Sequence, residues 1–248
     1  MRRSMQGVRP NRADTMGQLG KFLRGFMSRP VACDAHPIIL VTGPESSGTR
    51  IFTEILAQHP DVIGTRNAQD HHDVLDHVWQ FVARRESRAA ARALAEFPRD
   101  KTVLTRRSMP HGSRPGASAE YRRFPDLDGF TRVCEQAERP LQMLVTSRSP
   151  AACLASSVAQ RASVAGNYAL AGNQYLAAYN EIFRVALLRR VPYLIISVEA
   201  LVLDGDAYIQ SLFSLCKLPA AEVDLHAAGN PNTARYLEFM CAPGSTTC

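Results

Sequence analysis

Residues 37–50 read Pro37-Ile-Ile-Leu-Val-Thr-Gly-Pro-Glu-Ser-Ser-Gly-Thr-Arg50. The first six are a short apolar run rich in β-branched residues, the pattern of a strand buried on both faces. Gly43 permits a sharp turn out of that strand, and Gly48 lets backbone approach a ligand closely. The amides that follow lie at the start of a helix, where they are unpaired donors at the positive end of its dipole and suit a phosphate. Ser46, Ser47 and Thr49 add hydroxyls, and Arg50 adds charged donors. The G-x-x-x-x-G spacing is that of a triphosphate-binding loop, but such a loop continues with Lys and Ser/Thr for the β/γ-phosphates and Mg²⁺. Here Thr49 and Arg50 stand in those places, so the loop is poorly equipped for a metal–triphosphate. The plain alternative is a glycine turn with a helix cap.

Outward from this loop the chain alternates. Segments 62–65, 101–106 (KTVLTR), 141–147 (LQMLVTS) and 192–198 (PYLIISV) read as four further strands. Between and after them, 48–59, 70–97, 126–138, 151–162, 166–190 and 206–217 have helical periodicity, with 70–97 read as one long helix. A Gly/Pro/Ser-rich loop is expected at 110–125. Such alternation predicts an α/β fold, a parallel sheet of about five strands with helices on both faces. Right-handed crossovers bring the strand ends and their loops to one edge.

A second motif follows the fourth strand, Thr146-Ser-Arg-Ser-Pro150. Ser149 suits an N-cap and Pro150 the first helical position. Arg148 is thereby placed at the strand end, on the same edge as the first loop, with Ser156 about two turns into the helix. An arginine and a hydroxyl so placed suit a second, separate phosphate, although an arginine at a helix start is commonly only a surface residue.

Together these segments resemble the sulfotransferases that use 3′-phosphoadenylyl sulfate (PAPS). "PIILVTGPESSGTRIFTEILAQHPDV" is similar to their 5′-phosphosulfate loop, "LVTSRSPAACLASS" to their 3′-phosphate motif, and "VPYLIISVEALVLDGDAYIQSLFSLCKLP" to their late strand and helix. The resemblance spans about 37–219. It implies a fold like that of the P-loop NTPases, PAPS as donor with PAP as product, and sulfonate transfer to the hydroxyl or amine of a carbohydrate or small metabolite. By carry-over Gly43, Ser46, Ser47, Gly48 and Thr49 would form the 5′-phosphosulfate cradle, and Arg148 and Ser156 would bind the 3′-phosphate. Many cytosolic members carry a Lys where this chain has Ser46. The resemblance passes its part, assistance to the leaving phosphate, to Arg50.

Sulfuryl transfer also needs a base near the nucleophile. Cytosolic members place a His after the third strand. Ser108 occupies the nearest matching position here, and His111, three residues on, is the first candidate. Glu45 is the second, because other branches use a glutamate. The stretch Asp70-His71-His72-Asp73, with Asp76 and His77, has i,i+4 pairs that could ligate a metal, but is expected to be solvated or to line the acceptor pocket, and no metal is expected. Arg106 and Arg107 are read as holding an anionic acceptor or as finishing a strand in solvent. Glu199 is given a structural part, the arginines between 84 and 92 an exposed helix face, and Arg235 and Tyr236 the place of late nucleotide contacts.

The formal net charge of +6 comes from residues 1–30, which hold seven basic side chains and one acid. The remainder is balanced, so a nucleic-acid-binding face is not implied. Residues 1–30 are expected to be a basic tail before a domain at 31–248. In that tail Leu19, Phe22, Leu23, Phe26 and Met27 follow helical spacing, which suits packing or weak contact with a membrane surface. No run of 18 apolar residues exists, which argues against a spanning helix. Six scattered cysteines without a C-x-x-C pair read as reduced thiols of a cytoplasmic protein. Two other functions compete: a P-loop small-molecule kinase, and a nucleotide-binding protein without turnover.

Overall fold

The structure is a computed structural model that describes residues 35–64, 73–110, 124–161 and 164–225. The chain divides into two units, Met1–Cys33 and Asp34–Cys248, and the description below concerns the second. The amphipathic segment 16–29, Asp70, His71, His72, His111, Arg235 and Tyr236 lie outside the described residues.

Five parallel strands form one sheet in the order β2-β3-β1-β4-β5. They are β1 (Ile38–Pro44), β2 (Val62–Ile63), β3 (Thr102–Met109), β4 (Leu141–Ser147) and β5 (Tyr193–Ser197). Every residue of β1 is buried, as its unbroken apolar run requires. β3 runs three residues beyond its expected end because β1 offers it a pairing edge as far as Gly43↔Ser108 and Pro44↔Met109. Among the described residues seven helices accompany the strands: α1 (Thr49–Leu56), α2 (Asp76–Ala83), α3 (Ser87–Ala95), α4 (Leu127–Gln136), α5 (Pro150–Gln160), α6 (Tyr168–Arg189) and α7 (Val198–Leu215). None of the described helices is long and apolar enough to cross a membrane.

Two apolar layers cover the sheet. Ile39 and Val41 pack with α1 and α7 on one face. Ile38 and Leu40 pack with α2, α3, α4 and α6 on the other. The helix after β1 and the long helix after β4 therefore lie on opposite faces, and the adjacent ends of β1 and β4 open a crevice. That is the topological switch point where open α/β sheets bind ligands. It brings the loop at 43–48 beside Arg148.

Two helix boundaries differ from expectation. The single helix expected over 70–97 is broken, with α2 ending at Ala83 and α3 starting at Ser87. Arg85 adopts left-handed backbone (φ 61°). The Glu86 amide donates to Phe81 O (2.9 Å) and the Arg85 amide to Val82 O (3.0 Å). This is the reverse-turn C-cap that normally uses glycine. The late helix begins eight residues earlier than expected, at Val198, and crosses a kink at Gly205 (φ 48°). Ser197 caps it by accepting from the Ala200 amide (3.3 Å), with Glu199 in the favourable first turn.

Candidate functional site

The loop after β1 is shaped by two glycines. A Cβ on Gly43 would collide with Thr146 Oγ1 and Ser47 Oγ, so only glycine lets the turn lie against β4. Gly48 is left-handed (φ 96°), and a Cβ there would strike Val198. Gly48 also stands at the N-cap of α1, where it has no side chain to cap with. The first-turn amides of α1 thus open on the loop without a capping side chain. The Ser47 hydroxyl is fully buried, at 2.6 Å from both Pro44 O and Thr146 Oγ1. Its work is to hold the turn together. Ser46, also left-handed (φ 66°), is the loop residue that meets the second motif.

Three groups from the β4 side converge on Ser46. Arg148 Nη1 donates to its carbonyl (3.1 Å), Ser157 Oγ donates to its hydroxyl (3.2 Å), and Cys153 Sγ lies 3.6 Å from the same carbonyl. The two motifs noted in the sequence, 102 residues apart between Ser46 and Arg148, are thus joined directly. Ser156 sits on α5 and is half-buried, while its neighbour Ser157 makes the contact. Ser157 was missed, although Cys153 and Ser157 are four apart and so share a helix face. Burial pushes the Cys153 thiol up to about 11, so it is a packed group and a poor nucleophile.

Neighbouring elements fix this arrangement. Glu199 accepts from the Ser149 amide (2.7 Å) at the start of α5 and from the Ser197 hydroxyl (3.0 Å) at the start of α7. Tyr179 of α6 donates to Thr146 O (2.9 Å) and meets Tyr175 edge-on, with ring centroids 5.0 Å apart. Burial raises the Tyr179 phenol, which keeps it a hydrogen donor. His59, which ends the loop–helix unit, is structural. Its Nδ1 accepts from the Asp61 amide (3.0 Å), so Nε2 carries the proton donated to Pro219 O (3.0 Å).

Glu45 is 9% exposed; its amide donates to Met109 O (2.9 Å) and its carboxylate lies 3.8 Å from Arg161 Nε. It lines a small cleft with Met109, Pro110, Ser157, Gln174 and Tyr175. Arg50 donates through Nε to Glu54 Oε1 (2.6 Å), one turn down α1.

Within the sequence cluster near residue 73, Asp73 is drawn into the fold, while His77 is exposed, as expected of a solvated position. Asp73 Oδ2 accepts from Thr105 Oγ1 (2.8 Å), the Arg106 amide (2.6 Å) and Arg107 Nη1 (3.1 Å). Asp76 Oδ1 takes Arg107 Nη2 (2.7 Å). Arg107 lies over the Trp79 ring (4.7 Å), which stacks on Phe130 (4.0 Å, 12°). Asp73 and Arg107 are therefore parts of a buried brace under the site, and Arg107 neither finishes a strand in solvent nor awaits an anion. His77 stacks on Phe97 (6.2 Å). Among the described residues no group of three or more His, Cys, Asp or Glu could hold a metal. Arg84, Arg85, Arg88 and Arg92 are exposed, as expected of that helical stretch.

No protein-family model matches the chain, and no curated protein matches it significantly. Solved structures do. One is a sulfotransferase domain from the Synechococcus PCC 7002 olefin synthase (TM-score 0.51, 16% identity, 84% of this chain and 86% of that one). Another is mouse sulfotransferase SULT7A1 complexed with PAP (TM-score 0.38, 13% identity, 83% of this chain and 64% of that one). The first likeness is one of fold: the chain has a sulfotransferase-like α/β architecture.

Proposed function

We propose that this protein is a sulfotransferase that moves a sulfonate from PAPS to an acceptor hydroxyl on a carbohydrate or small metabolite. The observation that carries this reading is the convergence on Ser46. A phosphate-type loop and a strand-end arginine, bonded to one another at the switch point, make two anion-binding places in one crevice. The geometry suits the donor. Gly43 leaves the turn thin, the start of α1 is uncapped, and Arg148 is already turned toward the loop. The amides around Gly48 and Thr49, with the Ser46 and Thr49 hydroxyls, would hold the 5′-phosphosulfate, while Ser47 keeps the loop's shape. Arg148, with Ser156 on the next helix, would hold the 3′-phosphate. The donor supplies a sulfonate on a good leaving group. The chain's residues have to align it, stabilise charge on the departing phosphate, and take the acceptor's proton. Glu45 and His111 are the two bases proposed for that proton. The buried free thiols Cys134, Cys153 and Cys216 support a cytoplasmic setting.

Melting the full chain with PAP, PAPS, ADP and ATP–Mg²⁺ tests the reading. At ligand a hundredfold over Kd the stabilisation is about 2.7 kcal/mol. That raises Tm by roughly 5–11 °C for a domain of this size. PAP and PAPS should do this and ADP much less; stabilisation by ATP–Mg²⁺ without PAP overturns the proposal. Arg148→Ala should erase the preference for the 3′-phosphate. Near-normal transfer by His111→Ala together with loss in Glu45→Gln assigns the base to Glu45. A second reading, a PAP-binding protein without turnover, is favoured by one observation: Arg50 Nε is bonded to Glu54. It predicts the same shifts with no transfer of labelled sulfonate.

A further inference from the structure

Two consecutive arginines end differently on β3. Arg107 is 5% exposed and engaged by Asp73 and Asp76 on the α2 side of the sheet. Arg106 points to the other side, the α1 face that it shares with Leu104 by strand alternation. It lies in register with Val41, two residues below the Gly43↔Ser108 pair at the loop. It is half-buried, and its recorded hydrogen bonds are made by its backbone: the amide to Asp73 and the carbonyl from Arg107. Among the described residues no oxygen accepts from its guanidinium. Glu54, an acid on that face, is 7% exposed and takes Arg50 through Oε1. Burial lowers the Arg106 guanidinium below its ordinary value, Asp73 opposes that, and Arg50 adds to it. Among the described residues two cations, Arg50 and Arg106, and one carboxylate, Glu54, share this face of the loop, with positive charge in excess among these three and partly removed from water. Such an excess is stabilised by a visiting anion.

Sheet order says which anion. The proposed donor anchors, the loop and Arg148, belong to β1 and β4. Arg106 stands on β3, across β1 from Arg148. A donor stretched over β1 and β4 leaves the β3 side to the other substrate. We infer that Arg106 recognises an oxyanion on the acceptor, so that this protein selects hydroxylated acceptors carrying a carboxylate or a phosphate ester. The inference rests on the sulfotransferase reading.

The test uses the full chain saturated with PAP and titrated at constant ionic strength. The probes are methyl glucuronide (carboxylate), glucose 6-phosphate (phosphate ester) and methyl glucoside (neutral), followed by melting temperature. One or both charged sugars should stabilise the protein and the neutral one should not. The two charged arms tell carboxylate from phosphate. Arg106→Gln should weaken the charged sugar at least tenfold while PAP affinity and the ligand-free melting temperature stay unchanged, since among the described residues the guanidinium holds no hydrogen-bond partner. Arg106→Lys should restore part of the effect. Equal binding of charged and neutral sugars, no binding of any, or a preference that survives Arg106→Gln overturns the inference. Loss of PAP affinity in Arg106→Gln also overturns it, because the residue then serves the donor. Failure of PAP to bind the unmodified chain refutes the donor reading instead. The same glucuronide and glucoside comparison on nucleotide-free protein then decides the anion site separately.

Discussion

Replacing Asp73 by alanine should be the most damaging single change near the site. Its carboxylate is 10% exposed and receives four donors: Thr105 Oγ1, the Arg106 amide and Arg107 Nη1 on Oδ2, and the Leu75 amide on Oδ1. Removing one partner of a buried ion pair costs about 3–5 kcal/mol. Leaving the Arg106 amide without an acceptor belongs to the same loss, so the terms are not summed. The converse change is milder. In Arg107→Met the carboxylate keeps three of its donors, and the methionine can still pack on Trp79. Asp76→Ala is milder again, because Asp76 is 32% exposed and makes one of the two contacts to Arg107. Urea unfolding measures all three, with a constant m-value as the check that only stability has changed. For a domain of this size, about 3–5 kcal/mol lowers Tm by roughly 6–20 °C. A loss below about 1 kcal/mol for Asp73→Ala, or a larger loss for Arg107→Met, refutes the brace.

Three further outcomes follow from the same geometry. Gly43→Ala drives a Cβ into the Ser47–Thr146 contact, so it should cost about 1–3 kcal/mol by overpacking and weaken PAP at least tenfold; a PAP titration that matches the unmodified chain refutes the close approach. Ser157→Ala should lower ligand-free stability by about 0.5–1.5 kcal/mol through loss of its bond to Ser46. Ser156→Ala should leave it unchanged and weaken PAP relative to adenosine 5′-phosphosulfate; equal melting of the two variants counts against this division. Asp128, bonded to Arg189 Nε (2.6 Å), is held below the ~3.9 of an exposed aspartate. Its folded value is depressed, so its contribution is complete above that pH and vanishes as pH falls through the lower folded value. Asp128→Asn should therefore lower stability near neutrality, where that contribution is complete, and flatten the stability–pH curve below about pH 4.

β1 and β4 were legible because burial on both faces leaves little choice of residue, and β5, an edge strand with Tyr193 and Ile195 exposed, still falls on an apolar branched run. Helix starts were legible where a capping side chain marks them, as at Asp126, which accepts from the Gly129 amide (2.7 Å). The helices ending at Gln136, Arg189 and Leu215 stop within two residues of the ends expected at 138, 190 and 217, but the break inside 70–97 was not legible, for a physical reason. Four helix ends use the reverse-turn cap with left-handed Arg85, Glu138, Arg190 and Lys217 rather than glycine. In each, the next amide reaches back five residues: Glu86 to Phe81, Arg139 to Cys134, Val191 to Ala186 and Leu218 to Phe213. A charged residue in that conformation carries no mark in the sequence, and a break between two apolar helices, as at Arg85, reads as continuous periodicity. The start of α7 did carry a mark, Ser197 with Glu199 behind it, which the strand reading at 192–198 absorbed.

The proposed donor site and the proposed acceptor side differ in how far their meaning is local. Each donor motif is a strand end, a small-residue turn and a helix start, three consecutive pieces whose backbone alone supplies amides and direction. That is why 43–50 and 146–150 could be read before any fold was known. Arg106 and Arg107 are equally close in sequence, yet their meanings separate only through elements far from them. Alternation along a strand sends neighbours to opposite faces, but which face is filled depends on what packs there. On Arg107's side α2 brings Asp73, Asp76 and Trp79 from about thirty residues earlier. On Arg106's side α1 brings Glu54, already bonded to Arg50. The expected end of β3 at Arg106 hid even the alternation, since it gave Arg106 and Arg107 the same pair of readings. Pairing with β1 extends the strand, the extension fixes the two faces, and the faces divide one basic dipeptide into a structural brace and the proposed recognition group.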